Sequence, residues 1–385
     1  MTIHQVQGLD ATPVLERKRE AKEQVLPRVW ALLGHRAGEN TQIRALAEAL
    51  EWPFELKRVS YRKVGFVPNL LRRATVAGVR RSQVSNLAPP WPDLVISSGL
   101  RNEPITRWIK RQSGGRTKVV HLGRTWAPLD RFDLVITTPQ YRLPERDNVL
   151  QNQMTLHRVT PARLVAEALK WRNRFRHLPK PYVAVLVGGN SGPFTFGVRA
   201  ARRLARQASE MAGAMGGSVL VTTSARTSPR AADVLQNALE VPAFVFRWMG
   251  SGRENPYFAY LALSHSLIVT GDSIAMLSEA SATGKPVYIF DLGVGARSMR
   301  GSSSADEDAE GNDLQLKPFF YRQMMRFGPR RLSRDITLVH RQLVASGRAT
   351  WLGEGPSEVD RSVRLENDVD RAVRRVRELM GRLGS

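Results

Sequence analysis

The chain has no cysteine among its 385 residues, which excludes disulfides, zinc–thiolate sites, iron–sulfur clusters and a cysteine nucleophile. Histidine is sparse: the seven present are scattered, with no pair at metal-ligand spacing, so neither a protein-held metal nor a cofactor is expected. No apolar run reaches the length that crosses a bilayer. The first 27 residues are polar and charged and lack the apolar centre of a secretory signal. A cytoplasmic protein with a mobile N-terminal tail is expected. Lysine is also scarce. Only ten of the 58 basic residues are lysine, and with 35 acidic residues the formal charge is +23. Codon bias accounts for part of that excess. The remainder suits attraction to phosphorylated ligands or to an anionic membrane surface. Nucleic acid is not expected as a partner, because no helix-turn-helix, RNP aromatic motif or zinc finger accompanies the spread-out charge.

What is present is a repeated grammar of short apolar run, polar turn and amphipathic helix. VWALL (29–33), DLVISS (93–98), KVVHLG (118–123) and DLVITT (133–138) read as buried strands of one parallel α/β half. YVAVLV (182–187), SVLVTTS (218–224), the run 243–248, LIV (267–269) and the run 287–290 read as those of a second. Between them RVTPARL opens a helix over 158–174, with Thr160 as N-cap and Pro161 as its first residue, and two prolines within 175–181 mark the boundary. The expected organisation is α/β: a tail over 1–27, Rossmann-like domains over 28–175 and 181–365 with their parallel sheets facing a central crevice, and a C-terminal helix over 366–385 that packs back on the first half. The basic stretch 61–81 reads as a solvated helix or a membrane-surface segment, interrupted at Pro68. Residues 297–313, rich in Gly, Ser and acids, read as a mobile loop, and 316–326 as an Arg-rich helix.

Candidate site residues stand where strands end. After the first strand come Gly34, His35, Arg36, Gly38, Glu39, Asn40 and Gln42, polar groups at the ligand-binding edge of such a sheet. The glycines are not spaced as a dinucleotide fingerprint, and Glu39 and Asn40 serve equally as helix caps. Arg101 and Arg124, also at strand ends, suit an acidic or phosphorylated group. In the second half Gly188, Gly189, Asn190, Ser191 and Gly192 form a glycine-rich loop whose N–H groups can cradle an anion, and Arg226 follows the next strand. In SLIVTGDSIAMLSEASATGKPVYIF, Asp272 or Ser273 caps a helix whose N-terminus points at the crevice, a natural place for a diphosphate. Glu279, nearly two turns further on, is placed to accept hydrogen bonds from two vicinal hydroxyls, as on a ribose.

This last segment resembles the nucleotide-sugar-binding segment of GT-B glycosyltransferases and of UDP-N-acetylglucosamine 2-epimerases. In the glycosyltransferases that make lipid II, a Glu five residues before Gly-Lys-Pro holds the donor ribose, and Glu279 stands in that relation to Gly284-Lys285-Pro286. Taken together, GHRAGENTQ, PDLVISSG, FDLVITTPQY, VAVLVGGNSG, VTTSART, ENPYFAYLA and TGDSIAMLSEASATGKPVYIF resemble, in order, the mitochondrial fission ELM family. Plant members act at the mitochondrial surface and recruit dynamin-related proteins, and some bacterial members carry the label nucleoside-diphosphate-sugar epimerase. The chain departs from other members at Gly123-Arg124-Thr125, where some carry an acidic residue, and in the serine- and acid-rich segment after Asp291.

The family's similarity to GT-B proteins implies an acceptor side in the N-terminal domain and a nucleotide-sugar side in the C-terminal one. On that implication the chain is a metal-independent glycosyltransferase of cell-envelope or other glycoconjugate synthesis. It takes a nucleotide-diphosphate sugar and, in one version, a lipid-linked acceptor at the inner membrane face. Gly188, Gly189, Asn190, Ser191, Arg226, Asp272, Ser273 and Glu279 hold the donor. Gly38, Asn40, Arg101 and Arg124 line the acceptor side, and His35 or Glu39 supplies the general base. Two alternatives are a non-catalytic adaptor on the same scaffold and a nucleotide-sugar epimerase.

Overall fold

The computed structural model describes residues 26–61, 74–76, 79–80, 86–192, 194–250, 254–294, 298–300, 334–355 and 367–381. The expected N-terminal tail up to residue 25, most of the basic stretch 61–81, the loop 297–313 except 298–300 and the helix 316–326 lie outside them.

The first half contains β1 (Val29–Leu33), α1 (Ala37–Ala49), β2 (Phe54–Arg58), β3 (Leu94–Ser98), α2 (Glu103–Gln112), β4 (Lys118–Leu122), β5 (Leu134–Thr137) and β6 (Val149–Gln151). Its six strands are all parallel, in the order β2-β1-β3-β4-β5-β6. Helix α3 (Pro161–Phe175) then crosses to the second half. That half contains β7 (Tyr182–Leu186), α4 (Val198–Gly213), β8 (Ser218–Thr222), α5 (Pro229–Asn237), β9 (Ala243–Phe246), α6 (Tyr257–Leu263), β10 (Ser266–Thr270), α7 (Ile274–Ser281), β11 (Val287–Phe290), α8 (Thr337–Ala345) and β12 (Thr350–Trp351). Its sheet is also six-stranded and parallel, in the order β12-β11-β10-β7-β8-β9. The α/β architecture of two parallel sheets read from the sequence is the one observed.

The inner strands β1, β3, β7, β8 and β10 are buried at every position, which is why they read as unbroken apolar runs: helices cover both faces. The edge strand β2, FELKR, is largely exposed. Helix α3 starts as the sequence predicts, with the Thr160 hydroxyl accepting the Arg163 N–H at 3.2 Å and Pro161 in the first turn.

Phe175 belongs to the core of the second half, with Leu164 and Trp171 packed against that core. The two cores meet near the start of α3, where Met154 is buried in the second and Leu156 in the first. The last helix, α9 (Asp368–Gly381), returns to the first core through Val369, Ala372 and Val376. Its start is fixed by the Asp368 carboxylate, which accepts the N–H groups of Gln153 at 3.1 Å and Met154 at 2.7 Å.

Candidate active site

In each sheet the strand order reverses direction at one place, between β1 and β3 in the first half and between β7 and β10 in the second. Open parallel sheets bind ligands beyond the carboxyl ends of the strands at such points.

At the first point the β1 loop is closed by Asn40, whose Oδ1 accepts the Gly34 N–H at 2.8 Å while its Nδ2 donates to the Gly34 carbonyl at 3.0 Å. Asn40 thus shapes the loop and spends these groups internally. Glu39 leans on Gly99 so closely that a Cβ there would lie 2.4 Å from its Oε2. Arg36 Nη1 reaches Glu39 Oε1 at 3.3 Å, and the Glu39 side chain stays 23% exposed. Burial raises the Glu39 pKa; Arg36, Arg334 and Arg124 oppose it with their charges. His35 is exposed, edge-on to Tyr61, and its pKa is lowered by burial and by Arg101 and Arg36. Arg101 lies over the Tyr61 ring and Arg124 over the Trp126 ring. His35, Glu39, Arg101 and Arg124 are therefore gathered at one mouth.

The loop carrying Arg124 rests on a buried network that no sequence motif announced. The Glu103 carboxylate accepts the N–H groups of Trp126 at 2.8 Å and Ala127 at 2.9 Å. His121, fully buried, lies 3.0 Å from Ser97 Oγ through Nδ1, and its pKa falls to about 4 by desolvation.

The second point is built alike. Asp272, fully buried, sits against Gly188, where a Cβ would meet its Oδ2 at 2.4 Å. Only glycine leaves room for that approach. Arg226 Nη1 pairs with Asp272 Oδ2 at 2.7 Å and donates to the Asn190 carbonyl at 3.1 Å. Burial raises the Asp272 pKa, opposed by the charge of Arg226 and by the Thr270 hydroxyl and the Gly189 N–H.

The glycine loop does not present an open cradle of N–H groups. The Gly188 N–H donates to Thr270 Oγ1 at 2.8 Å, and the Gly189 N–H faces Asp272. The Asn190 N–H donates to the Arg226 carbonyl at 3.2 Å, and that of Ser191 to the Phe194 carbonyl at 2.9 Å. The Asn190 side chain is likewise used, its Oδ1 accepting the Phe196 N–H at 2.8 Å. The anion seated here is the protein's own Asp272. Ser273 occupies the N-cap position of α7 but makes no side-chain capping bond. The turn is held from behind by His340, whose Nε2 donates to the Gly271 carbonyl at 2.7 Å. Burial lowers the His340 pKa to about 4, so it is neutral and keeps that tautomer.

Glu279 is not with this group. It is 7% exposed and accepts a 2.5 Å hydrogen bond from the Tyr257 hydroxyl, with the charges of Arg163 and Arg158 nearby. Burial lifts its pKa to about 7. A ribose at Glu279 shares the carboxylate with Tyr257 or competes with it. Lys285, of the Gly-Lys-Pro segment, holds the fold together. Its Nζ donates to the carbonyls of Ala262 at 2.5 Å and Ser264 at 2.6 Å, closing the end of α6.

The two points face each other. A Cβ on Gly38, in the first turn of α1, would lie 4.0 Å from the Ala275 Cβ of α7. Ser278 Oγ accepts the Thr155 N–H at 3.1 Å and lies 2.7 Å from the Thr155 hydroxyl. Across the mouth, Arg334 Nε donates to Gln140 Oε1 at 2.7 Å and its Nη1 lies 3.5 Å from Ser191 Oγ. The Asp335 N–H donates to the Gln140 carbonyl at 2.8 Å, and its carboxylate pairs with Arg142. Arg334 carried no motif in the sequence. It is the group from the second half whose charge reaches Glu39 of the first. Among the described residues no group of three or more His, Asp or Glu side chains is placed to hold a metal, and no helix is long and apolar enough to cross a membrane.

A family model described as mitochondrial fission ELM1 matches residues 37–306. The mitochondrial fission protein ELM1 of Arabidopsis thaliana is 31% identical over 220 residues, 51% of this chain and 51% of that protein. The chain thus spans about half the length of that relative. The uncharacterized protein RP120 of Rickettsia prowazekii is 22% identical over 295 residues, covering 68% of this chain and 82% of that one. Among solved structures, a glycosyltransferase from Rickettsia africae aligns over 93% of this chain and 99% of its own at 10% identity, with a TM-score of 0.43.

Proposed function

Since the chain belongs to the mitochondrial fission ELM1 family, whose model matches most of its length, we propose that it is a family member acting on a nucleotide-diphosphate sugar as a glycosyltransferase. The observation that carries this reading is Arg334 of the second half, whose charge reaches Glu39 of the first while its Nη1 lies 3.5 Å from Ser191 Oγ, next to the Asn190 carbonyl that Arg226 holds. Glu39, half-buried and with a raised pKa, suits a general base that takes the proton of an acceptor hydroxyl. His35, with its lowered pKa, is the second candidate. As the acceptor oxygen bonds to the sugar's anomeric carbon, the bond to the diphosphate breaks. The charge then appears on the leaving nucleotide, where fixed guanidinium groups stabilise it most in a site shielded from water. Arg101 and Arg124 flank the acceptor side, so an acceptor that itself carries phosphate is favoured.

The test is nucleotide release from UDP-, GDP-, ADP- and CMP-linked sugars, with and without phosphorylated acceptors, for the wild type and Glu39→Gln. The expected result is acceptor-dependent release from one donor, lost in the variant. Sugar interconversion without an acceptor identifies an epimerase instead.

A second reading, a non-catalytic adaptor, is favoured by one observation: Glu279 is buried and its Oε2 is already taken by the Tyr257 hydroxyl. It predicts no turnover and no nucleotide affinity.

A further inference from the structure

The four loop N–H groups of Gly188, Gly189, Asn190 and Ser191 are all engaged, and Asp272 fills the place an anion would take in the turn. A diphosphate entering this crevice therefore finds no open cradle in these four N–H groups. Two guanidinium groups flank adjacent residues of the same turn. Arg226 spends Nη1 on Asp272 and on the Asn190 carbonyl. Its side chain is 39% exposed, and its Nε and Nη2 make no hydrogen bond among the described residues. Arg334 comes from the opposite side, with Nη1 at 3.5 Å from Ser191 Oγ and Nε on Gln140 of the first half. The Ser191 hydroxyl lies between them in the chain of contacts. Asp272 neutralises only one of the two cations.

We propose that Arg226 and Arg334, with the Ser191 hydroxyl, form the anion subsite of the crevice, a two-arginine clamp for the diphosphate of a nucleotide ligand. The assignment rests on the nucleotide-sugar reading for the identity of the ligand but not for the clamp itself. Planar guanidinium groups bind phosphate oxygens in pairs, which lysine does not reproduce. Arg334 also holds Gln140, so an anion bound there is in contact with the element that bridges the two halves. The remaining crevice arginines, Arg36, Arg101 and Arg124, lie around Glu39 and His35 of the first half.

Calorimetric titration separates the two layers of the proposal. Inorganic pyrophosphate and nucleoside diphosphates are titrated into the wild type, Arg334→Gln, Arg334→Lys and, as a control for general charge, Arg206→Gln on the exposed face of α4. Circular dichroism melting confirms that each variant is folded. Arg334→Gln is expected to weaken pyrophosphate about tenfold or more, in the range of a lost charge-assisted contact. Arg334→Lys is expected to recover only part of the affinity, and Arg206→Gln to match the wild type. Arg334→Gln binding pyrophosphate within about twofold of the wild type overturns the clamp. So does an equal loss in the Arg206 control. Wild type that binds pyrophosphate through Arg334 but no nucleotide leaves the clamp standing and removes the nucleotide-sugar reading. Nucleotide binding indifferent to Arg334 does the reverse, and binding of neither probe ends both.

Discussion

The two switch points are built to the same plan and finish differently. In each, a carboxylate at the start of the helix that follows a strand presses on a glycine of the neighbouring loop, Glu39 on Gly99 and Asp272 on Gly188, and in both a Cβ would come within 2.4 Å of a carboxylate oxygen. In each an arginine meets the acid, Arg36 in the first half and Arg226 in the second. An asparagine side chain closes both loops, Asn40 and Asn190. The difference is burial: the Glu39 side chain is 23% exposed, that of Asp272 fully covered. A half-exposed acid among arginines can exchange a proton with a ligand. A covered one holds a guanidinium and a turn in place. The same local grammar thus supplies a candidate reacting group on one side and a fixed frame on the other.

The largest effect that sharpens this contrast is expected from alanine at the two glycines. Gly188→Ala drives a methyl group into a carboxylate that cannot move away, and is expected to cost about 3 kcal/mol in urea denaturation, the upper end of overpacking. Gly99→Ala meets the flexible end of Glu39 and bears mainly the penalty of its positive φ of 82°, about 1–2 kcal/mol. Equal costs at the two sites break the comparison. Next come the acids themselves. Asp272→Asn weakens the pairing of Arg226 and is expected to cost about 2 kcal/mol. Glu39→Gln is expected to stay within about 0.5 kcal/mol of the wild type while abolishing turnover.

A third effect belongs to Glu279. Its carboxyl titrates near 4.5 when exposed and near 7 in the fold. Below the lower value both states are protonated and nothing is lost. As pH rises through that window the unfolded chain ionises first, so the folded state loses stability, and above 7 the full penalty applies. Glu279→Gln removes the penalty. It is expected to gain about 1–2 kcal/mol on the wild type between acid and mildly alkaline pH, read as diverging melting temperatures. Parallel pH profiles contradict the burial of Glu279. A modest cost is expected at the loop asparagines: Asn40→Ala and Asn190→Ala each lose about 1 kcal/mol with their bonds to the backbone.

Much of this architecture was legible because the inner strands are buried on both faces and so appear as apolar runs such as VWALL and LVISS. The edge strands β6 and β12, of three and two residues, carry too little pattern to be seen. Helix α3 was legible in its caps but not in its allegiance, which depends on where Phe175 is buried. The candidate residues were read from their place at strand ends: His35, Glu39, Arg101 and Arg124 meet beyond the first sheet, and Arg226 pairs with Asp272 beyond the second. What those residues do there was not legible. Asp272 reads as a helix cap until Gly188, in the loop after β7, is seen beneath it. Nothing in the sequence shows that the Tyr257 hydroxyl bonds the buried Glu279. Arg334 lies far beyond the last motif and gains meaning only through Gln140, Ser191 and Glu39.

The central claim is that the two switch points form one ligand site divided between binding and chemistry. Calorimetry of the preferred nucleotide sugar against Glu39→Gln and Arg226→Gln, with turnover measured on the same preparations, tests it most directly. Glu39→Gln is expected to bind the donor within about twofold of the wild type yet turn over none, while folded Arg226→Gln loses about tenfold or more in affinity. Undiminished donor affinity in Arg226→Gln, or full turnover in Glu39→Gln, contradicts it.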